Sequence, residues 1–592
     1  MRPYLAPMQK RWTLKPAPDP KAVEALTHAR STPALATLLA QRSISSPEQA
    51  KAFYHPEMQQ LHDPFLMQDM DRAVERIELA LREKQPIMIY GDYDVDGTTS
   101  VALVYSVLSR CTGAISHYIP DRYAEGYGIS TQGIDRAAEL GVKLIIALDC
   151  GIKSSDKVEY ATGLGIDFII CDHHLPSEKI PAAVAVLDPK RPDCAYPFKE
   201  LSGCGIGFKL MQGFAQHNDM PFAEIAELLD LVAVSIGCDI VPVDGENRVL
   251  AHFGLKRLNE EEPRPGIKAL LGMSNFSRKL TITDLVFVLG PRINAAGRIE
   301  HGQQAVELLL AKSANEAENI GKRIDGNNSA RQDLDKAITE EALDLFATDP
   351  FLQDSWSTVV FNPNWHKGVV GIVASRLIER HYRPTIVLTE SNGKVSGSAR
   401  SVKGFNVHDA IGACSDLLEQ FGGHMYAAGL TMKPENVPAF RDRFEAVVRE
   451  RMLPSQRIPE EDVDLEIALA DIKTLERGVE GMEPFGPANM KPVFLLRGMA
   501  AKDVRLLGNS GDHLKFQLCD PRDPKLLLDA IAFRQGEHFD LLRSGEPFSV
   551  LCTVEKNTWR GNTTIQLNIK DIKAGVVDVL ETAGHNLEKA SA

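Results

Sequence analysis

The chain has 592 residues, 44% of them hydrophobic, and a formal charge of −14. That acidic balance excludes indiscriminate nucleic-acid binding by the whole surface, though not a local basic groove. No apolar run approaches the ~20 residues of a membrane span, the opening MRPYLAPMQKRW has no apolar signal core, and nine scattered cysteines without a CxxC pair fit a reducing cytoplasm better than a disulfide or zinc scaffold.

Residues 1–55 read as a polar helical segment, with Ser45-Ser46-Pro47-Glu48 as a helix start. Asp69–Lys84 is an amphipathic helix with Ala73, Ile77, Ala80 and Leu81 on one face. It feeds the stretch IMIYGDYDVDGTTS. There an apolar run, Ile87 to Tyr90, stops at Gly91, and Asp92, Asp94 and Asp96 follow at every second position. Extended backbone would put the three carboxylates on one face, where they repel unless a cation neutralises them. DxDxDG also opens a calcium loop, but the twelfth position is Leu103, not Glu, and the preceding run is strand-like. A solvated acidic turn is the remaining alternative, and this stretch alone does not choose. Val101–Leu108 reads as the helix after the acidic loop.

The pattern then repeats. Leu144–Leu148 precedes Asp149, Phe168–Cys171 precedes Asp172, and Ala182–Leu187 precedes Asp188, with helical stretches Thr131–Leu140 and Ser155–Gly163 between. Alternating strands and helices predict a parallel sheet. Ligands bind at the carboxyl ends of such strands, so these Asp residues should converge. Turn chemistry favours Asp after strands anyway, which explains one or two of the four more easily than all. Cys171-Asp172-His173-His174 adds imidazole to carboxylate, a donor set suited to Mn²⁺ or Mg²⁺. Leu229–Ile236 is strand or buried helix by periodicity, and Asp239 sits at its end.

These motifs, GDYDVDG, LDCG, DHH and GCDIVPVDGENR in this order, resemble the DHH phosphoesterase family, and within it the exonucleases specific for single-stranded DNA. The resemblance continues through Pro291–Arg298, Trp365-His366-Lys367-Gly368, Gly397–Ser401 and Gly422-Gly423-His424, from about Leu38 to about Lys573. Cys150, Asp188 and Gly237-Cys238 depart from the usual residues without removing a metal ligand.

The resemblance implies an α/β fold: a parallel-sheet DHH domain (56–300), a connecting helix (301–350) and a smaller α/β domain of the DHHA1 type (351–453). The connecting stretch, His301–Asp349, reads as one or two long helices that Gly326-Asn327-Asn328 could interrupt. Val359–Phe361 and Thr385–Leu388 read as strands of the second α/β domain. His366-Lys367-Gly368 before a helix Val369–Glu379, and the loop Gly397–Ser401, suit phosphate. Pro454–Glu461 reads as a linker and Glu483–Pro487 as a rigid turn. Five strands, Val493–Leu496, Leu514–Leu518, Ala530–Phe533, Phe548–Val554 and Thr563–Ile569, suggest an OB-type β-barrel (461–574). Phe516 and Phe533 read as core and Trp559 as an exposed stacking surface. Residues 575–592 read as a frayed polar helix.

The resemblance further implies two Mn²⁺ ions, with Mg²⁺ as the alternative, held by Asp92, Asp94, Asp96, Asp149, His173 and Asp239. Asp149 would bridge them, and Asp92 could sit just outside the ligand shell. Asp149, His173 and His174 would be catalytic, His174 as a ligand or as a donor to the phosphoryl oxygens. Arg122, Arg298, Ser398, Arg400 and His424 would grip the 5′ end in a cleft between the two α/β domains. The implied activity is 5′→3′ release of mononucleotides from single-stranded DNA by a cytoplasmic monomer, with a RecQ-type helicase and single-strand-binding protein as partners. Two alternatives are a nano-RNase or cyclic-dinucleotide phosphodiesterase of the same superfamily, which would lack the barrel, and a non-catalytic DNA-binding scaffold, which would lack the ligands.

Overall fold

The computed structural model describes residues 9–28, 31–508, 511–559 and 562–581. It divides into two compact units, one of His55–Leu334 with Pro484–Met490, the other of the remaining residues.

The first unit is built on a five-stranded parallel sheet in the order Ile115–Tyr118, Ile87–Gly91, Leu144–Leu148, Asp167–Cys171, Ala185–Leu187. The central strands are buried on both faces, which is why they read as unbroken apolar runs. Ile87, Ile89, Leu144, Ile146, Leu148 and Ile169 pack into one core with the helices Met70–Arg82, Val95–Leu108, Gly203–His217 and Leu229–Cys238. Met88, Tyr90, Ile145, Ala147, Phe168 and Ile170 face the other core, under Thr131–Glu139 and Ser155–Gly163. From Ile87–Gly91 the chain first adds a strand on one side and then crosses to Leu144–Leu148 on the other. Such a switch point leaves a crevice at the carboxyl ends of those two strands, where Asp92 and Asp149 stand.

Several expectations are corrected. The helix after the acidic stretch begins at Val95, not Val101. Asp94 is its N-cap, its carboxylate accepting from the Gly97 N–H at 3.0 Å. Asp92, Asp94 and Asp96 therefore do not share one extended face; a cap competes successfully with strand continuation. Leu229–Ile236 is helix, with Asp239 at its C-terminal end. The edge strand Ile115–Tyr118 is an addition to the expected strands; it is short and half-buried and leaves no apolar run in the sequence. Gly326-Asn327-Asn328 does not interrupt the connecting segment, which forms a short helix Gln303–Leu310 and a 35-residue helix Ala314–Thr348. Ion pairs Arg292–Asp325 and Arg376–Asp335 hold that long helix at two points.

The second unit holds a mixed five-stranded sheet, Gln420–His424, Ala427–Met432, Lys394–Arg400, Thr385–Ser391, Thr358–Phe361. Its core includes Phe440 and Phe444 of the helix Val437–Arg451. Gly397–Arg400 is thus strand, not loop. The C-terminal part is a closed five-stranded barrel. All five predicted strands are present and longer than expected: Phe494–Leu507, His513–Asp520, Asp523–Ala532, Phe548–Trp559 and Asn562–Ala574. Phe494–Leu507 pairs with Phe548–Trp559, and Asp523–Ala532 with Asn562–Ala574, which closes the barrel. Phe516 is core, but Phe533 is 51% exposed, its ring edge-on to His513.

Glu460–Val463, which overlaps the end of the expected linker Pro454–Glu461, is a strand. It pairs with Arg11–Leu14, which also takes Leu580–Glu581 on its other side. The N-terminal segment is therefore not helical throughout, and it packs into the unit that holds the barrel. Trp12 is buried and donates Nε1–H to Asp571 at 2.6 Å, with Lys573 over its ring. The expected tail helix falls mostly outside the described residues.

Candidate metal centre and active site

Each acidic residue is placed by a local device. Asp96, in the first turn of Val95–Leu108, accepts from the Gly203 and Cys204 N–H groups at 2.7 and 2.8 Å and from Ser235 Oγ at 2.7 Å. Those N–H groups open the helix Gly203–His217, whose positive end favours a carboxylate. Gly203 is required for the approach: a Cβ there would lie 2.6 Å from the Asp149 Cβ. Asp149 follows its strand in the left-handed region, φ 58°, and its N–H is tied to the Cys171 carbonyl at 2.8 Å. Such backbone is unusual outside glycine, and Asp is among the residues that tolerate it best. Asp92 is buried and accepts from the Gly128 N–H at 3.3 Å.

Asp172 orders the two histidines. Its carboxylate accepts from the N–H groups of Ile152, His173 and His174 and from His174 Nδ1, the last at 2.7 Å. Burial works to raise Asp172, but the hydrogen bond and charge of His174, with those N–H groups, outweigh it and hold it at about 2. Burial likewise works to lower His174, and the bond and charge of Asp172 outweigh it, raising His174. His174 Nε2 meets the Tyr127 hydroxyl at 3.2 Å. Tyr127 stands between Gly126 and Gly128, both at positive φ. It is not among the residues expected from the sequence; a tyrosine between two glycines in the DR-x-x-EGYG stretch is the signal that could have found it.

His173 faces the carboxylates. Its Nε2 lies 3.2 Å from Asp149, 3.5 Å from Asp239 and 3.8 Å from Asp96. Ligand atoms of Asp149, His173 and His174, and separately of Asp96, His173 and Asp239, lie within 4.8 Å of one another. Asp92 and Asp94 fall outside both groups. Burial first, and then neighbouring carboxylates, raise Asp92, Asp94, Asp149 and Asp239 above the ordinary range. Burial lowers His173. Asp149 Oδ1 and Asp92 Oδ2 are buried without a hydrogen-bond partner. Crowded carboxylates, orphaned oxygens and a neutral imidazole are the donor set of a hard divalent cation, and the residues fit one.

Of the predicted substrate residues, Arg122 and Arg298 lie in the first unit. Arg122 stacks on Tyr93 at 4.7 Å, and the Arg298 carbonyl accepts from the Tyr123 hydroxyl. Burial first, then the nearby charges, leave Tyr93 raised to about 12. Ser398, Arg400 and His424 lie in the second unit. Arg400 donates to Ser398 Oγ at 2.9 Å. Both crowd Gly371 in the first turn of Val370–Arg380, where a Cβ would lie 3.0 Å from Ser398 Oγ and 3.1 Å from Arg400 Nη2. His424, Ala427 and Arg400 are in register across three strands. Trp559 ends its strand opposite Asn562; its side chain and Arg560-Gly561 lie outside the described residues.

Strand ends that gather aspartate and histidine around a divalent-cation site, joined to a second α/β domain and a barrel, define a DHH-type phosphoesterase. The sequence matches the DHH family N-terminal domain over residues 86–236, the DHHA1 domain over 354–450 and the RecJ OB domain over 463–571. It is 38% identical to the single-stranded-DNA-specific exonuclease RecJ of Bacillus subtilis (strain 168), over 95% of this chain and 70% of that protein. It is 36% identical to the RecJ of Escherichia coli (strain K12), over 85% of this chain and 90% of that one. The crystal structure of RecJ from Thermus thermophilus in complex with Mn²⁺ superposes with a TM-score of 0.81 at 27% identity, covering 96% of this chain and 80% of that one; the Mg²⁺ complex gives 0.75 at 27% identity, covering 96% and 79%. The chain belongs to the RecJ family of single-stranded-DNA-specific exonucleases.

Proposed function

We propose that the protein is a divalent-metal-dependent exonuclease that removes mononucleotides from single-stranded DNA in the 5′→3′ direction, in recombination and repair. The observation that carries this is His173 Nε2 facing Asp149, Asp239 and Asp96 within 3.8 Å, in a chain of this family.

Asp92, Asp94, Asp96, Asp149, His173 and Asp239 would hold two cations, Mn²⁺ or alternatively Mg²⁺. When bound, the ions supply Lewis acidity, which lowers the pKa of a water and neutralises charge on the phosphoryl group. An imidazole nitrogen offers one lone pair and serves one ion, whereas a carboxylate can serve two. Asp149, with one orphaned oxygen, therefore suits the bridging role better than His173. Asp94, committed in part as an N-cap, and Asp92, outside both groups, stand at the edge of the set.

The remaining residues bind and orient. Asp172 holds the Nδ1 proton of His174 and favours its cationic form, which leaves an Nε2 proton to donate to a phosphoryl oxygen once Tyr127 yields its place. Arg122 and Arg298 of the first unit would bind phosphate near the metal centre; Ser398, Arg400 and His424 of the second unit are a candidate phosphate-binding group by themselves. The barrel, with Trp559, would track the following strand by charge and stacking. Among the described residues no helix is long and apolar enough to cross a membrane, and the nine cysteines are free. We place the protein in the cytoplasm as a monomer working with a RecQ-type helicase and single-strand-binding protein.

The barrel match favours this reading over the nano-RNase and cyclic-dinucleotide alternatives, and the intact donor set favours it over a scaffold. Strands labelled at either end test the direction. The 5′ label should appear as mononucleotide first. Arg400→Ala should raise KM for 5′-phosphorylated strands by about 10-fold or more, the worth of a charged hydrogen bond, with little change in kcat. Early release of the 3′ label would reverse the assigned polarity.

A further inference from the structure

The segment Pro484–Met490 has no part in the chemistry above. It belongs to the unit that carries the metal centre, although the chain on either side of it belongs to the other unit. The seat is close-fitting. The Pro487 carbonyl accepts from the Val243 N–H at 2.7 Å. The Pro484 carbonyl accepts from the Arg248 guanidinium at 3.2 Å and from the Asn489 side-chain amide at 2.9 Å. Gly486 and Asn489 exchange backbone hydrogen bonds at 3.1 and 2.9 Å. Arg248 and Asn489 are both buried. Gly486 has no room for a side chain: a Cβ would lie 2.4 Å from Val243 Cγ2. Pro484 and Pro487 fix their own φ, and Ala488 is held at φ 61°.

Its seat is the turn that follows Asp239. Asp239 ends the helix Leu229–Cys238, its N–H on the Ser235 carbonyl at 2.9 Å. The next residue, Ile240, is β-branched yet sits at φ 61°. Backbone of that kind is strained for a β-branched residue and persists only where the surroundings over-determine it. The helix holds the turn from one side. Val243, pinned by Pro487 and covered by Gly486, holds it from the other.

We infer that Pro484–Met490 is a positioning clamp for the metal centre: its docking on Val243 fixes the strained turn after Asp239 and so keeps the Asp239 carboxylate beside His173. This rests on the reading of Asp239 as a ligand. The clamp is interrupted on both sides by chain of the other unit, including the residues matched as the RecJ OB domain. Metal affinity thus depends on sequence far beyond the domain that supplies the ligands. Truncation after Leu453 removes a support of the metal centre as well as the barrel.

The test is Mn²⁺ binding to the full chain by titration calorimetry, with thermal melting of the metal-free protein alongside. Gly486→Ala should weaken Mn²⁺ binding by about 10-fold, the usual effect of losing a group that orients a ligand. Adding Val243→Ala removes the opposing methyl and leaves the nearest Val243 atom 3.2 Å from the new Cβ; most of the affinity should return. Asp239→Asn is the reference. If it loses affinity while Gly486→Ala keeps that of the parent, the clamp is refuted and the ligand stands. If Asp239→Asn binds like the parent, both are refuted. The unaltered chain supplies a second readout by hydrogen exchange. Mn²⁺ should protect the amides of 240–245 and of 484–490 together, and protection confined to the first segment would contradict the clamp.

Discussion

Asp149→Asn should lower the rate of strand cleavage on the order of 10³-fold or more, the usual scale for a residue that acts as part of a catalytic unit. Binding of long single strands should persist, because the barrel does not include Asp149. Asparagine is the informative replacement because it tolerates the left-handed backbone at φ 58° that alanine would resist. It removes the charge without disturbing the close approach of Gly203. The same change should make the metal-free protein more stable. Asp149 lies buried among Asp96, Asp94, Asp239 and Asp172, all of which work against its ionisation. Loss of activity with a gain in metal-free melting temperature would mark a residue kept for chemistry at a cost in stability. Equal loss of binding and cleavage would count against separate roles for the two regions.

The second large effect concerns pH and metal together. Asp92, Asp94, Asp149 and Asp239 are raised in the folded state, mainly by burial and by one another. Their contribution to stability is full below about pH 4, the unfolded value, and is lost as pH rises through the folded values. His174, also raised, contributes below about pH 6.5 and loses that contribution as pH rises. His173 is lowered and works in the opposite sense, costing stability as pH falls through its unfolded value. Asp172, held at about 2, keeps its contribution until the pH falls below the ordinary carboxylate range. The raised groups dominate. The chelated protein should therefore melt higher at about pH 5.5 than at about pH 8, by ~1 °C for each kcal/mol gained in a chain of this size. Mn²⁺ at one hundred times its Kd should add about 2.7 kcal/mol per site at pH 8. It should also flatten the dependence, because protons and metal compete for the same oxygens. A chelated protein whose melting temperature ignores pH, or that Mn²⁺ fails to stabilise, would show that these carboxylates are not the ligands.

The parallel sheet is legible because its strands are buried on both faces and end in aspartate. Convergence of Asp149 with His173 follows from topology alone. The details at Asp94 and Asp96 are not legible as alternation. D-x-D reads equally as strand continuation or as a cap with an acidic first turn, and only the Gly97 N–H decides. Leu229–Ile236 is apolar all round because it is a helix buried on every side, so no period survives in its sequence. The pairing of Arg11–Leu14 with Glu460–Val463, and the seating of Gly486 on Val243, join residues hundreds apart. No local pattern encodes such contacts. Phe533 reads as core by its hydrophobicity, yet an exposed aromatic on a barrel is ordinary in sequence and separable only by register. Asp172 shares its motif with His174, whereas Tyr127, which meets His174 Nε2, stands 47 residues away in sequence and is the harder one to read.

GDYDVDG, read alone, does not choose between a solvated acidic turn and a metal site. In the fold it becomes one buried carboxylate on Gly128, one cap, and one carboxylate held by a helix N-terminus, facing His173 from Asp96. The most direct test of that assembly as a nuclease is digestion of three labelled substrates with Mn²⁺ and with chelator: a long single strand, the matching blunt duplex and a dinucleotide. Rapid Mn²⁺-dependent release of mononucleotides from the single strand, with the duplex resistant and the dinucleotide slower than the strand, is the expected result. A dinucleotide cleaved in preference to the long strand, or a strand bound but never cut in Mn²⁺, would contradict it.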